Sequence, residues 1–318
     1  MSGRVIHTGQ AIVDLSLRIP AVPAPGADVF ATDHQICAGG GFNVMAAAAR
    51  DGAPVCYVGS HGTGHFGDLV RTAMAAEGIR VLLQPDRTND TGFSIALVDD
   101  GAERSFISTL GAEGNVTAAQ YRAAATTSAD VVYVSGYSML HPSNRAALLE
   151  WLPSLPAGTE VVADPSPVIT ELDRDTLERL FPYVTIWSTN EPEARVLAER
   201  AQLDAHASLE AITSELRDAW GTTVICRRGA HSTLVAQAGQ RDITRVPTMT
   251  VTAIDTNGAG DAHCGVLVAA LAARRPLIEA VQRANLAAAI AVTRSGPATS
   301  PSSAEIDAAL SAFSGPKG

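Results

Sequence analysis

The segment Asp255–Asp261, which reads Asp-Thr-Asn-Gly-Ala-Gly-Asp, has the residue types needed to bind an anion and to accept a proton. Gly258 and Gly260 permit backbone conformations closed to other residues, so successive N–H groups can point into one concavity. The Ala-rich apolar segment that follows predicts a helix, whose first N–H groups and positive dipole end add to this seat. Phosphate is the usual ligand of such a site.

The carboxylate of Asp261 does not suit a seat built only for phosphate, because it would repel the ligand. It suits a base that accepts a proton from a hydroxyl group attacking a phosphoryl group, a reaction that depends mainly on positioning and charge stabilisation. The alternative is that Asp261 only stabilises the start of the helix while the glycines turn the chain. The sequence predicts phosphoryl transfer, with this structural role as the alternative.

The same seven residues resemble the C-terminal signature of the ribokinase/PfkB carbohydrate kinase family, DTxGAGD, at every fixed position. The resemblance implies that Asp261 is the catalytic base and that the amides of Gly258, Ala259 and Gly260 form the anion hole. It implies ATP and Mg²⁺ as cofactors. It also implies that Asp255, with carbonyl groups farther along the chain, can hold a monovalent cation such as K⁺, although members of the family vary in this.

Residues in the first part of the chain resemble the sugar-binding elements of that family. The segment from Ala38 to Asn43 is similar to the signature GGxxxN, with Ala38 where the first Gly is expected. The resemblance implies that Gly39 and Gly40 approach the sugar and that Asn43 hydrogen-bonds its hydroxyl groups. Asp14 matches the sugar-binding Asp, and a carboxylate that accepts from paired hydroxyls orients a polyol well. An exposed strand residue is the alternative for Asp14.

Two further residues are candidates for contact with the acceptor. Arg104 ends a Gly-Ala-Glu-Arg segment similar to a lid turn of the family, where the Arg contacts substrate in some members. A plain hairpin charge is the alternative for Arg104. Tyr137 stands where the family's acidic sugar ligand is expected, and its ring could stack on a base or on a sugar ring.

The nucleotide side is represented by two motifs. Asn190 and Glu193 resemble the family's NxxE motif, which holds Mg²⁺ and phosphates largely through water, in keeping with the few direct carboxylates that Mg²⁺ needs. The same pair predicts a helix-capping box, and both roles can hold at once. Arg227 and Gly229 resemble the nucleotide loop, in which Ser232 replaces the last Gly. A solvated arginine pair at a strand end is the alternative for this loop.

Near the C-terminus the resemblance implies that Asn285 lies by the adenine. His263 stands beside the catalytic base, where many members have Phe, and departs from the family pattern.

A competing pattern is the GxGxxG at residues 62–67, with Asp86 downstream at roughly the spacing of a dinucleotide site. Gly64 replaces the Asp that the carbohydrate kinases usually have there. A dinucleotide site would leave the motifs at 39–43, 190–193 and 255–261 unexplained, so we do not adopt it. The sequence has no GxxxxGK[ST] and is therefore not that of a P-loop kinase.

Predicted strands and helices alternate through the second half of the chain, which indicates an α/β fold with a mainly parallel sheet and helices on both faces. The predicted strands lie at 131–135, 161–164, 184–188 and 223–226. Alternating segments within about 11–37 and 90–109, including predicted strands near 14–19 and 29–31, predict a small second sheet. The resemblance implies one ribokinase-like domain over 1–318, in which this sheet is a lid over the sugar.

Composition limits the partners. The net charge of −10 argues against a nucleic-acid or anionic membrane surface. Four scattered cysteines without a CxxC pair and an N-terminus without an apolar signal core favour a cytoplasmic protein. Phe93, Ile95 and Leu97 give the small sheet an apolar face compatible with a homodimer.

Together with the resemblance, these features predict an ATP-dependent kinase that phosphorylates a hydroxymethyl group of a small carbohydrate of the ribose, fructose or sugar-acid type. A nucleoside kinase of the same fold is the alternative. A non-catalytic sugar- or nucleotide-binding protein is the third possibility, but it would have no use for the carboxylate of Asp261.

Overall fold

The computed structural model describes residues 3–101 and 103–313. Its strands are β1 (Val5–His7), β2 (Ala11–Arg18), β3 (Asp33–Gly40), β4 (Val55–Tyr57), β5 (Arg80–Val81), β6 (Phe93–Val98), β7 (Arg104–Ser108), β8 (Val131–Ser135), β9 (Glu160–Asp164), β10 (Ile186–Asn190), β11 (Thr223–Arg228), β12 (His231–Ala236) and β13 (Ile243–Val246). Its α-helices are α1 (Gly41–Arg50), α2 (His65–Ala76), α3 (Ala118–Arg122), α4 (Gly136–Leu140), α5 (Pro142–Trp151), α6 (Arg174–Leu180), α7 (Glu191–Arg200), α8 (Leu209–Trp220), α9 (Ala259–Ala272), α10 (Leu277–Ala291) and α11 (Ser303–Phe313).

A nine-stranded sheet with the order β13-β12-β11-β10-β9-β8-β1-β4-β5 forms the centre of the molecule. The pairings from β11 to β5 are parallel, and β12 and β13 are antiparallel additions at one edge. Strand residues alternate between two apolar clusters, since Val131 and Tyr133 of β8 belong to one and Val132 and Val134 to the other. Burial of both faces confirms the predicted doubly covered α/β sheet.

The smaller sheet has the order β3-β2-β6-β7. In β2, Asp14 and Arg18 lie four residues apart and therefore share one face. Arg18 pairs with Val98, which pairs with Arg104, so Arg104 lies on the same face as Asp14. The opposite face packs on the body of the protein through residues such as Val13.

The observed strands differ from the prediction in the first segment of this sheet. Residues 29–31 are irregular, and β3 instead runs from Asp33 to Gly40. The strand thus continues into the glycines that precede α1, where no strand was predicted. The short elements β5, α3 and α4 and the edge strands β12 and β13 were not predicted.

No helix in the described ranges has the length and apolar character that a bilayer span requires.

Candidate active site

The turn before α9 is shaped by a glycine that has no substitute. Gly258 is the residue preceding α9 and has φ +73°, in the left-handed region. A Cβ at this position would lie 1.9 Å from the carbonyl oxygen of Pro297. Helix α9 begins at Ala259, and its first turn includes Asp261. The N–H groups of this turn have no intrahelical partners.

Asp261 lies partly buried beside these amides. Loss of hydration raises the pKa of its carboxyl to about 6. The Asn43 side chain, whose Nδ2 donates to Asp261 Oδ2 at 3.1 Å, opposes this rise, and the nearby charge of Asp164 adds to it. Asp261 is thus still ionised at neutral pH, but it holds a proton more readily than a surface aspartate, as a general base should.

Close packing of α1 on α9 brings Asn43 to Asp261. Gly265 faces α1, and a Cβ there would lie 2.4 Å from the carbonyl oxygen of Val44 and 2.5 Å from the Cβ of Ala47. Asn43, in the first turn of α1, is only 6% exposed. Its Oδ1 has no hydrogen-bond partner among the described residues, which leaves a buried acceptor beside the candidate base.

Asp14 and the glycines of β3 form the wall next to Asn43. A Cβ on Gly39 would lie 1.9 Å from Asp14 Oδ2, so only glycine fits against this carboxylate. Burial raises the pKa of Asp14 to about 6, and the opposing influence of the nearby Gly40 N–H is smaller. Gly40 has φ +59° and leads directly into α1. The structure thus brings together four of the six residues that the sequence assigned to the acceptor. Arg104 and Tyr137 are the other two.

Tyr137 is the second residue of α4 and is 39% exposed. Burial raises the pKa of its hydroxyl, and the charges of Asp261, Asp164 and Asp14 raise it further. The ring therefore lies within electrostatic range of both the candidate base and the candidate sugar ligand.

Asn190 and Glu193 form the capping box of α7. Asn190 N–H donates to Glu193 Oε2 and its Nδ2 to Oε1, both at 2.8 Å, while Glu193 N–H donates to Asn190 Oδ1 at 2.9 Å. Burial and the charge of Asp164 raise the pKa of Glu193. No group of three or more His, Cys, Asp or Glu side chains suited to a metal occurs in the described residues. Few direct ligands fit Mg²⁺, which keeps its waters and binds through phosphates and one or two carboxylates.

Arg227 is not the solvated residue considered as an alternative, because its side chain is only 12% exposed. Its two terminal nitrogens each donate to Asp164 Oδ2 at 3.2 Å, and Nη2 lies 3.5 Å from Glu193 Oε2. Nη1 also donates to the carbonyl oxygen of Gly260 at 3.4 Å and to Cys264 Sγ at 2.8 Å. The buried guanidinium of Arg227 thus contacts the first turn of α9 and links it to β9 and α7.

Sequence reasoning missed Asp164 and Cys264. The Cys264 thiol donates to Asp164 Oδ2 at 3.0 Å, and Asp164 Oδ1 accepts from the Ser166 N–H at 2.8 Å. The available signal was position, since Asp164 is the last residue of a parallel strand, where ligand-binding side chains collect in α/β sheets.

The predicted nucleotide loop is a tight hairpin between β11 and β12. Gly229 has φ +57°, and Arg228 folds back so that its Nε donates to the Ser232 carbonyl at 2.8 Å. Asn285 is buried below this hairpin. Its Oδ1 accepts from Thr233 Oγ1 at 2.7 Å, and its Nδ2 donates to the carbonyl oxygens of Val246 and Pro247 at 3.2 and 3.1 Å. The structure therefore shows which protein groups hold Asn285 in place, and its implied position by the adenine stays a prediction.

Arg104 and Asp255, which the sequence assigned separately to substrate and to a monovalent cation, contact each other. Arg104 Nη2 donates to Asp255 Oδ1 at 2.8 Å. This oxygen also accepts from the Asn257 N–H at 2.9 Å, and Oδ2 accepts from the Gly296 N–H at 3.2 Å. Together these donors outweigh burial and lower the pKa of Asp255. The ion pair joins the small sheet to Asp255, the first residue of the segment Asp255–Asp261.

The GxGxxG segment binds a carboxylate of its own chain. The N–H groups of Gly64, Phe66 and Gly67 donate to the side chain of Asp90 at 2.9 to 3.0 Å. Asp86, the candidate ribose ligand of a dinucleotide site, instead accepts from the N–H groups of a local turn at Thr88 and Asn89. The segment is thus a structural turn.

His263 is buried, and loss of hydration lowers the pKa of its ring to about 3. It is neutral at physiological pH and does not compete with Asp261 for the proton.

The chain is similar to known carbohydrate kinases over most of its length. Residues 4–304 match the model of the pfkB family carbohydrate kinases. The chain is 28% identical to an uncharacterized sugar kinase of Escherichia coli, with 95% of this chain and 92% of that protein aligned. It is 29% identical to the ribokinase of Haemophilus influenzae, over 92% of this chain and 93% of that one.

Among solved structures, the adenosine kinase of Sinorhizobium meliloti has a TM-score of 0.82 at 22% identity and covers 98% of this chain and 100% of its own. That likeness shows a shared ribokinase-like fold. From the family match over most of its length, the chain belongs to the pfkB family of carbohydrate kinases, ATP-dependent phosphotransferases that act on an alcohol group.

Proposed function

We propose that this kinase transfers the γ-phosphoryl group of ATP to a hydroxymethyl group of a small sugar held between Asp14, Gly39, Gly40 and Asn43. The observation that carries the proposal is the hydrogen bond from Asn43 to Asp261, since it couples the acceptor wall to the base. The Oδ1 of Asn43, for which the described part of the chain supplies no hydrogen-bond donor, is suited to accept from a sugar hydroxyl.

In this mechanism Asp261 takes the proton of the attacking hydroxyl group. The amides of Gly258, Ala259 and Gly260 hold the transferred phosphoryl group, and their fixed dipoles stabilise its charge without reorganisation. Arg227 adds a buried positive charge behind them. Mg²⁺, when bound, would offset phosphate charge on the side of Glu193 and Asn190, and Gly229 would lie along the nucleotide.

The direct test is ADP formation from ATP and Mg²⁺ with a panel of pentoses, hexoses, sugar acids and nucleosides, each with Asp261→Asn as the matched control. We expect at least one sugar to give ADP with the unsubstituted protein and a far smaller rate with the variant. ADP that forms equally with and without acceptors, or in the variant, would contradict the proposal.

A nucleoside acceptor is the second candidate, and the exposed ring of Tyr137 favours it because an aromatic face can stack on a base. Tyr137→Leu separates the two. A nucleoside substrate should lose several-fold in kcat/KM through KM, whereas a simple sugar should be little affected.

We propose that the small sheet acts as a lid and as a homodimer contact in a cytoplasmic protein with free thiols. The face turned away from Asp14 includes Ile107, which is 58% exposed. Unlike it, the predicted dimer residues Phe93, Ile95 and Leu97 are partly buried in the single chain. Sedimentation of Ile107→Asp should give a monomer if this face joins two copies; an unchanged dimer, or a monomeric parent protein, would contradict the contact.

A further inference from the structure

The carboxylate of Asp255 is already supplied with donors by the chain itself. Arg104 Nη2 and the N–H of Asn257 both donate to Oδ1, and the N–H of Gly296 donates to Oδ2. The side chains of Arg104 and Asp255 are 35% and 17% exposed, so this pair is partly withdrawn from water. Of its three donors, only the guanidinium carries a full positive charge.

Arg104 belongs to the small sheet and lies 151 residues from Asp255 in the sequence. Arg104 is the first residue of β7 and lies on the face that also carries Asp14. Its position opposite Asp255 therefore follows from the register of the sheet over the cleft, and not from a local turn. The planar fork of a guanidinium is pre-organised, so it loses less rotamer entropy per hydrogen bond than a lysine ammonium does.

A monovalent cation does not fit at this carboxylate. Such an ion would need a free oxygen of Asp255 and would lie within a few Å of the guanidinium, where like charges repel. It would also face the N–H groups of Asn257 and Gly296, which point at the same carboxylate with their positive ends. The residues present thus disagree with the K⁺ site that the family resemblance implies.

We propose that the guanidinium of Arg104 is the fixed cation of the catalytic turn and replaces a monovalent metal ion at Asp255. The pair holds Asp255 and, through the N–H groups of Asn257 and Gly296, the two segments that flank the anion seat. Because Gly258 packs against the carbonyl of Pro297, the residue after Gly296, any shift of these segments reaches the amides of the seat. Arg104 is accordingly a positioning residue for phosphoryl transfer and makes the protein indifferent to K⁺.

The test measures the thermal unfolding midpoint in KCl and in choline chloride at equal ionic strength, without ATP or acceptor. This readout does not depend on the proposed acceptor. The parent protein should unfold at the same temperature in both salts. Arg104→Met should unfold about 2 to 4 °C lower in choline, and increasing K⁺ should recover part of this loss. Arg104→Lys, which keeps the charge, should lie closer to the parent protein.

Arg18→Met is the matched control, since Arg18 lies on the same register row and face of the sheet but two strands away. It should respond equally to both salts. Selective stabilisation of the parent protein by K⁺ would overturn the proposal. So would an Arg104→Met protein without any selective response to K⁺.

A second measurement concerns ADP formation with an acceptor found in the substrate screen. Replacing K⁺ by choline should change the turnover of the parent protein by less than twofold, while that of Arg104→Met should fall in choline and rise in K⁺. Tenfold or greater activation of the parent protein by K⁺ would overturn the proposal even if the kinase activity itself is established.

Discussion

At the scale of single residues, the site depends on carboxylates whose protonation is tuned by burial. Asp261 and Asp14 both have a pKa raised to about 6, chiefly because they lose hydration. In the proposed mechanism each must be ionised, Asp261 as the base and Asp14 as the acceptor of sugar hydroxyls. Because both pKa values are near 6, activity should be lost at a higher pH than it would be with aspartates of ordinary pKa.

The first prediction follows for the pH dependence of kcat/KM, which reports groups of the free enzyme. The value should be constant above neutrality and fall as the pH drops through about 6, because the raised pKa leaves these carboxyls protonated below it. Steady-state kinetics between pH 5 and 8 would measure this. A profile that stays flat to pH 5 would contradict the assignment of either carboxylate.

The second prediction concerns Arg227, which neutralises Asp164 and Glu193 below the anion seat. Arg227→Met leaves two buried carboxylates without their cation, so the free energy of unfolding in urea should fall by about 3 kcal/mol or more. Arg228→Met is the matched control, since that neighbour bonds to Ser232 in the hairpin and pairs only with the part-exposed Glu210, 3.6 Å away. Equal losses of unfolding free energy in the two variants would show that the pairing of Arg227 with Asp164 and Glu193 contributes little to stability.

The turn at Gly258 and the helix that follows it could be predicted from the sequence because their causes are local. Gly258, Gly260 and Asp261 lie within one turn, and glycine geometry and helix dipoles act over that distance. The partners of Arg227 could not be predicted in this way, because Asp164 lies 63 residues away and meets it only through the order of the strands. The pairing of Arg104 with Asp255 was missed for the same reason.

At the scale of elements, the distance between α1 and α9 sets the geometry of the site. Asn43 and Asp261 lie 218 residues apart in sequence, yet each occupies the first turn of its helix, and the helices touch at Gly265. The absence of a side chain at Gly265 therefore has a functional consequence. The helix after Asp261 was predicted from the sequence, but no local pattern indicates that α1 and α9 pack on each other.

The third prediction is that Gly265→Ala lowers turnover by tenfold or more. Its Cβ would lie 2.4 Å from the Val44 carbonyl, so the helices must separate and the hydrogen bond from Asn43 to Asp261 must lengthen. ADP formation and urea unfolding should be measured together. Gly221→Ala, a left-handed residue after α8 with open space around it, should lose about 1 kcal/mol of stability but keep its turnover.

A contrary result would be a Gly265→Ala protein with normal turnover. It would mean that the two helices adjust without disturbing the base, and that the proposed coupling between acceptor wall and base is loose.

At the scale of the whole molecule, the two sheets have separate tasks. The large sheet collects Asp164, Asn190 and Arg227 at the ends of neighbouring strands β9, β10 and β11, which parallel pairing brings to one edge. The small sheet brings Asp14 and Arg104 from the other side. The alternation of strands and helices predicted the large sheet well. The edge strands β12 and β13 were not predicted, and β3 was predicted near residues 29–31 but lies at Asp33–Gly40.

The fourth prediction concerns closure of the small sheet over the acceptor. Binding of a sugar found in the substrate screen should slow amide hydrogen exchange in β6 and β7, since the sheet then packs over a filled cleft. Strands β12 and β13, at the far edge of the large sheet, serve as the internal reference. Protection confined to the large sheet would argue against a lid.

The central claim is that one carboxylate beside the anion hole removes the proton of the acceptor, and Asp261→Asn tests it most directly. Because the folded state raises the pKa of Asp261, its share of stability is lost as pH rises through about 6, and the neutral variant should fold at least as well at pH 7.5. With ATP binding retained by calorimetry, we predict that turnover falls by about 10³-fold or more. Turnover within tenfold of the parent protein would contradict the account.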